Sequence, residues 1–176
     1  IVMTCGVSGS GKSHAAARLT GPLPAVRIRS DVERKRLLGL SAGEDATALG
    51  GYAESLTDKT YRRLAELAGK VAAAGYVAVA DATYLRRAQR ELLRAEAERT
   101  GVPLLVLDCE ASPEVLRARI LQRRSERDNV SDADLEVLEQ QLASREPLAA
   151  EEAALSVQVT PGSPLDVEAV RRRLFG

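Results

Sequence analysis

The chain has 176 residues, 45% of them apolar and 28% charged, which suits one self-sufficient globular domain. Its 25 basic side chains balance 25 acidic ones, so no global field draws it to nucleic acid or anionic membrane. Two cysteines exclude a disulfide framework, and no run reaches the roughly 18 apolar residues that span a bilayer.

In chain order, Ile1–Cys5 is a short apolar run rich in β-branched residues and stopped by Gly6, which predicts a buried strand. A glycine-rich loop follows, then a helix from about Lys12 to Leu19, closed by Gly21 and Pro22. Val26–Ile28 predicts a brief second strand, and Asp31 the start of a helix that ends near Gly39. The Gly- and Ala-rich stretch 39–51 has weak periodicity and is expected to be a mobile connection. Thr57–Ala74 sets Leu64, Leu67, Ala68 and Val71 on one helical face, and Gly75 stops it. Val77–Ala80 is an unbroken apolar strand ending at Asp81, and Leu85–Thr100 is a helix capped by Gly101.

Pro103 precedes a strand at Leu104–Leu107. Ser112-Pro113-Glu114 opens the next helix with a cap, a first-turn proline and an acid at the positive pole. Ser131 with Asp134 marks another start, after which Leu135, Leu138 and Leu142 share one side. Leu155–Val159 is the last strand, Thr160–Pro164 a tight loop and Val167–Leu174 the closing helix. Strands alternating with helices, several of them apolar on both faces, predict an α/β fold with a parallel sheet covered on both sides. Without repeat or linker, 1–176 reads as a single domain. It opens directly inside a strand, as expected of a domain cut from a longer polypeptide, and the cytoplasm is its expected compartment. Cys5 and Cys109 each end an apolar run and read as reduced core residues.

Gly6-Val7-Ser8-Gly9-Ser10-Gly11-Lys12-Ser13 fits G-x-x-x-x-G-K-[ST] at every fixed position, between a predicted strand and a predicted helix. Glycines let backbone N–H groups approach phosphates closely, and the helix adds its positive end. Lys12 places a compact charge on the β- and γ-phosphates, and the Ser13 hydroxyl is positioned as a magnesium ligand. His14 follows on the helix.

A GTPase would carry an Asn-Lys-x-Asp motif, and none is present. A motor or AAA-type ATPase would end a strand in Asp-Glu to activate water; here the strand ends Asp81-Ala82-Thr83. Transfer to an acceptor hydroxyl fits better than hydrolysis. Asp31, just after the second strand, can accept the acceptor's proton, and Arg34 one turn on can hold an anionic group. Asp81 and the phosphate loop should face the same cleft, because ligands gather at the carboxyl ends of parallel strands. The arginine-rich segment 117–127 has Arg119 and Arg123 one turn apart, arranged as a lid that spreads γ-phosphate charge.

Together these residues resemble the small P-loop kinases related to the 5′-kinase domain of polynucleotide kinase, with zeta toxin and gluconate kinase as more distant relatives. The resemblance spans nearly the whole chain. It rests on GVSGSGKS at Gly6–Ser13, Asp31-x-x-Arg34, Asp81-Ala82-Thr83, Arg119-x-x-x-Arg123, and Gln140/Gln141 with Glu146-Pro147-Leu148. The stretch Arg29–Gly39 also resembles the kinase-like domain fused behind aminoglycoside-phosphotransferase-like domains.

The resemblance implies a P-loop NTPase fold, a three-layer sandwich with a five-stranded parallel sheet of nucleoside-kinase type and a helical lid at about 119–132. It implies ATP (or GTP) with Mg²⁺, bound by Ser8, Gly9, Ser10, Gly11, Lys12, Ser13, His14, Arg119 and Pro161, the last near the adenine. Catalysis falls to Lys12, Asp31 as base, Arg119 and Arg123, with Arg124 replacing Arg123 under a one-residue shift. Acceptor binding falls to Asp31, Arg34, Asp81 and Thr83, and the metal to Ser13 and, through water, Asp81. The expected acceptor is a 5′-OH of nucleic acid or a nucleotide. The alternatives are a sugar, sugar acid or aminoglycoside-like molecule, or a nucleotide-sensing module without transfer. One Phe, four Tyr and no Trp argue against a long nucleic-acid track, Tyr52 and Tyr84 being the only aromatics expected near the cleft.

Overall fold

The computed structural model describes residues 1–41, 54–125, 133–163 and 165–176; the side chains of Glu54, residues 123–125, Ala133 and Asp134 lie outside that description. Five strands run through it: β1 (Val2–Cys5), β2 (Ala25–Arg29), β3 (Val77–Asp81), β4 (Leu105–Cys109) and β5 (Ser156–Val159). They pair in the order β2-β3-β1-β4-β5, all in parallel. Parallel neighbours need crossovers. Here these are α1 (Lys12–Leu19), α2 (Ser30–Leu37) with α3 (Glu54–Ala73), α4 (Arg87–Thr100), and α5 (Pro113–Ser125), α6 (Ala133–Ser144) and α7 (Ala150–Ala154), before a closing α8 (Val167–Phe175).

Side chains alternate between the faces of a strand, and apolar ones here fill both. Met3, Ala80 and Val106 pack beneath α3 and α4 with Leu64, Ala68 and Leu93. Val2, Val79 and Leu107 pack beneath α1 and α8 with Ala16, Leu19 and Val170. Burial on both faces is why these strands read as unbroken apolar runs, and it makes the fold a three-layer α/β sandwich. A third, smaller cluster of Val7, Leu85, Leu116, Ile120 and Leu138 seats α5 and α6 against the phosphate loop.

Some boundaries differ from the sequence reading. Helix α4 begins at Arg87 rather than Leu85, because Leu85 is drawn into that third cluster. The chain reaches it through Tyr84, whose φ of 46° is a left-handed conformation that a bulky side chain resists. Helix α7 has only five residues, too few to show a period. The connection 42–51, Tyr52, the Ser131 helix start, the lid beyond residue 125 and Pro164 lie outside the described residues.

Candidate active site

Strand β1 is the central strand, so the loop after Cys5 emerges mid-sheet between the ends of β3 and β4. Gly6 has φ 139°, and a methyl group there would press into the Cys109 carbonyl; only glycine lets β1 leave so close to β4. Its N–H donates to the Thr83 carbonyl at 3.0 Å, fastening the loop's start to the segment after β3. Gly9 and Gly11, at φ 83° and 99°, are left-handed as well, the geometry from which backbone amides form an anion-binding nest. The Lys12 ammonium donates to the Val7 carbonyl at 2.7 Å, folding across the loop. Arg119 reaches in from α5 and donates to the Gly9 carbonyl at 3.0 Å.

Beside the loop lies a cavity of about 590 Å³. It is lined by Gly9, Ser10, Gly11, His14 and Arg18 of the loop and α1, by Arg119 and Gln122 of α5, and by Thr160–Ser163 after β5. The structure thus brings together Gly9–Gly11, His14, Arg119 and Pro161, which are far apart in the chain. Asp31, Arg34 and Asp81 do not line this cavity; they belong to the β2–β3 side.

On that side Asp81, buried at the end of β3, is the centre. The Ser13 hydroxyl donates to its carboxylate at 3.0 Å, and Arg27 donates through Nε at 3.0 Å and also through Nη2. In the β2–β3 register Arg29 stands opposite Asp81, which places Asp31 just past the same strand ends. Asp31 is exposed, accepts from Arg29 at 2.6 Å and takes the Val32 amide at 2.9 Å in the first turn of α2. Thr83 shares a 2.8 Å hydrogen bond with the Tyr61 hydroxyl, which in turn accepts the Tyr84 amide at 3.3 Å. Burial raises the Tyr61 phenol above its ordinary pKa, against the opposing effect of its Thr83 hydrogen bond. Arg34 lies one turn past Asp31 on α2. The Arg123 side chain lies outside the described residues.

The residues fit a nucleotide with a magnesium ion. The nest and the lysine suit phosphates, and the Ser13 hydroxyl and Asp81 carboxylate are hard oxygen donors meeting at one point. Among the described residues no three His, Cys, Asp or Glu side chains could hold a metal by themselves. Burial pushes the Cys5 thiol up to about 11 and that of Cys109 to about 12, leaving both as protonated core thiols at neutral pH.

Three contributors escaped the sequence reading. Arg27 shares β2 with apolar residues and lies on the same face as Asp81; period-two counting along Val26–Arg29 is the signal that could have found it. Tyr61 lies in the apolar stripe of α3 and reads as core. Arg90 is buried within α4. It makes a two-pronged ion pair with Glu152 at 2.7 and 3.0 Å and donates to the carbonyls of Tyr84, Leu85, Glu146 and Pro147. It therefore joins the exit of β3 to the segment after α6.

A parallel sheet whose central strand empties into a phosphate loop, with a flanking cavity and a strand-end carboxylate, defines the P-loop kinase-like class of fold. Residues 1–148 match the AAA domain family, and the chain belongs to it. An AAA-type ATPase would end this strand in Asp-Glu. The family carries the AAA name all the same, and the strand end stays Asp81-Ala82-Thr83.

Solved structures share the fold at low identity. A sugar kinase from a Janibacter species is 21% identical, with a TM-score of 0.69, 98% of this chain and 92% of that one being covered. Kti12 of Chaetomium thermophilum, solved with ADP-AlF3, is 16% identical with a TM-score of 0.71 and 99% of each chain covered. The APS kinase of Mycobacterium tuberculosis, solved with AMPPNP and APS, is 17% identical with a TM-score of 0.64, over 97% and 93% of the two chains. No curated protein sequence matches significantly. Among the described residues no helix is long and apolar enough to cross a membrane.

Proposed function

We propose that the chain is an ATP- and Mg²⁺-dependent kinase that moves the γ-phosphoryl group to an acceptor hydroxyl, with GTP as the second donor to test. The observation that carries this reading is the Ser13–Asp81 hydrogen bond, which joins a phosphate loop to the end of β3, opposite Arg29 and so beside the start of α2 that carries Asp31. A pure nucleotide sensor has no need of a base such as Asp31.

In this reading Ser8–Ser13 cradle the phosphates, Lys12 neutralises the β- and γ-oxygens, and His14 and Pro161 flank the nucleotide. Ser13, with Asp81 through water, would hold Mg²⁺, which would supply positive charge to offset that of the phosphates. Asp31 takes the acceptor's proton, Arg34 holds an anionic group on it, and Asp81 and Thr83 complete its pocket. Arg119 and Arg123 steady the transferring group. Residues 1–176 act as one cytoplasmic kinase domain, and the part of the expected lid beyond residue 125 lies outside the described residues.

A small hydroxyl-bearing metabolite is the acceptor class we favour. The sugar kinase and APS kinase support it, as does the scarcity of aromatics for stacking bases. The second reading, a polynucleotide or nucleotide 5′-OH, is favoured by Asp31-x-x-Arg34, which pairs a base with a cation suited to a phosphate-bearing acceptor. The test is transfer of radiolabelled γ-phosphate across sugars, sugar acids, aminoglycosides, nucleosides and 5′-OH oligonucleotides. Label on a small molecule supports the first reading and label on an oligonucleotide the second. Nucleotide binding with no label on any acceptor would leave the sensor reading standing.

A further inference from the structure

We propose that Gln141 is a γ-phosphate-contacting residue, an inference that rests on the kinase reading. Its side-chain oxygen Oε1 accepts the Ser8 backbone N–H at 2.7 Å, reaching from α6 into the phosphate loop. A backbone N–H only donates, so the prong facing Ser8 is the oxygen, and the two carboxamide N–H donors occupy the other prong.

Lys12 shows which end of the loop this is. Its ammonium rests on the carbonyl of Val7, the residue before Ser8. In a loop of this kind the lysine is the group that reaches the β- and γ-phosphates. Val7–Ser8 is therefore the γ end, and Gln141 stands at it. Arg119 holds the loop at Gly9, on the cavity side. The loop is thus bracketed by one side chain from each of α5 and α6.

The placement is firmly supported. Leu138, one turn before Gln141, is fully buried in the cluster with Val7, Leu116 and Ile120. Arg145, one turn after it, donates to Asp108 at 3.2 Å and to Glu110 at 2.9 Å, at the end of β4. The next two carbonyls, of Glu146 and Pro147, are held by the buried Arg90. A side chain anchored on both sides of its helix turn can present a donor in a fixed place, as stabilisation of the γ-oxygens requires. A neutral carboxamide does this without carrying a proton that could be lost.

Gln141→Glu decides the matter, because it keeps the length and the oxygen for Ser8 but replaces the N–H donors with negative charge. Affinities for ADP and for a non-hydrolysable ATP analogue, both with Mg²⁺, are measured by titration calorimetry. The ratio of triphosphate to diphosphate affinity should fall roughly tenfold or more. Gln141→Met, of similar length with neither donor nor charge, should lower the ratio by less; it decides the matter if the Glu variant fails to fold. Equal losses for the two nucleotides, or an unchanged ratio, would overturn the inference while leaving the kinase reading intact. Failure of the unmodified chain to bind either nucleotide would overturn both.

Discussion

The Ser13 hydroxyl lies 3.0 Å from the Asp81 carboxylate, binding the first turn of α1 to the end of β3. One residue comes from the phosphate loop and the other from 68 positions further along the chain. Between them they join the phosphate loop to the β2–β3 side.

Removing either partner should weaken metal use more than nucleotide use. In Ser13→Ala and Asp81→Asn the magnesium concentration for half-maximal nucleotide-dependent activity should rise about 10- to 100-fold, as for other residues that orient a metal's ligands. ADP affinity without metal should change little. Asp81→Asn also deprives Arg27 of its charge partner and should lower stability by about 1–3 kcal/mol, read by thermal unfolding.

The base assignment is tested at Asp31. Asp31→Asn keeps the size of the side chain and should preserve ATP binding while lowering transfer about 10²-fold or more. Full transfer by this variant would remove Asp31 from the mechanism. Arg34→Ala should raise KM for an anionic acceptor far more than KM for ATP; equal rises would count against its proposed role.

Gly6→Ala combines two penalties at one position. The φ of 139° is unsuited to a Cβ, and the methyl group would meet the Cys109 carbonyl. Strain of this kind costs about 1–3 kcal/mol. The melting temperature should drop, and affinity for both ADP and ATP should fall, because the whole loop must shift away from β4.

Arg90 and Glu152 should behave as a structural pair. Arg90→Ala leaves a carboxylate without its partner and should destabilise the fold by about 3–5 kcal/mol, measured by denaturant unfolding. Burial pushes the Glu152 carboxyl upward, but hydrogen bonds from Arg90 and the Ala149 amide outweigh it, so the group sits below its ordinary 4.5. A depressed folded-state value means stability that is present above pH 4.5 and lost as pH falls through the lower folded value. Acid titration of unfolding should show this loss in the unmodified protein and a smaller one in Glu152→Gln.

The fold was legible because its signals are local. Val2–Cys5, Val77–Asp81 and Leu105–Cys109 are buried on both faces and so are mostly apolar, with Thr4, Asp81 and Asp108 falling near their carboxyl ends. The phosphate loop was legible for the same reason: eight consecutive residues meet requirements of backbone conformation and charge that do not depend on distant partners. Asp31 and Arg34 were named from one helical turn. The position of α7, the start of α4 and the left-handed Tyr84 were not legible, since each is imposed by packing from elsewhere in the chain.

Sequence alone therefore determined a parallel α/β sandwich with a phosphate loop at Gly6–Ser13 and a carboxylate–arginine pair after β2. Tertiary structure decided which distant groups complete that loop: Asp81 with Arg27, Arg119 at Gly9, Gln141 at Ser8, and the wall at Thr160–Ser163. Conformation and periodicity are written within a few neighbouring residues. A side chain's partner is fixed only when the sheet order β2-β3-β1-β4-β5 brings strand ends and helices to one edge.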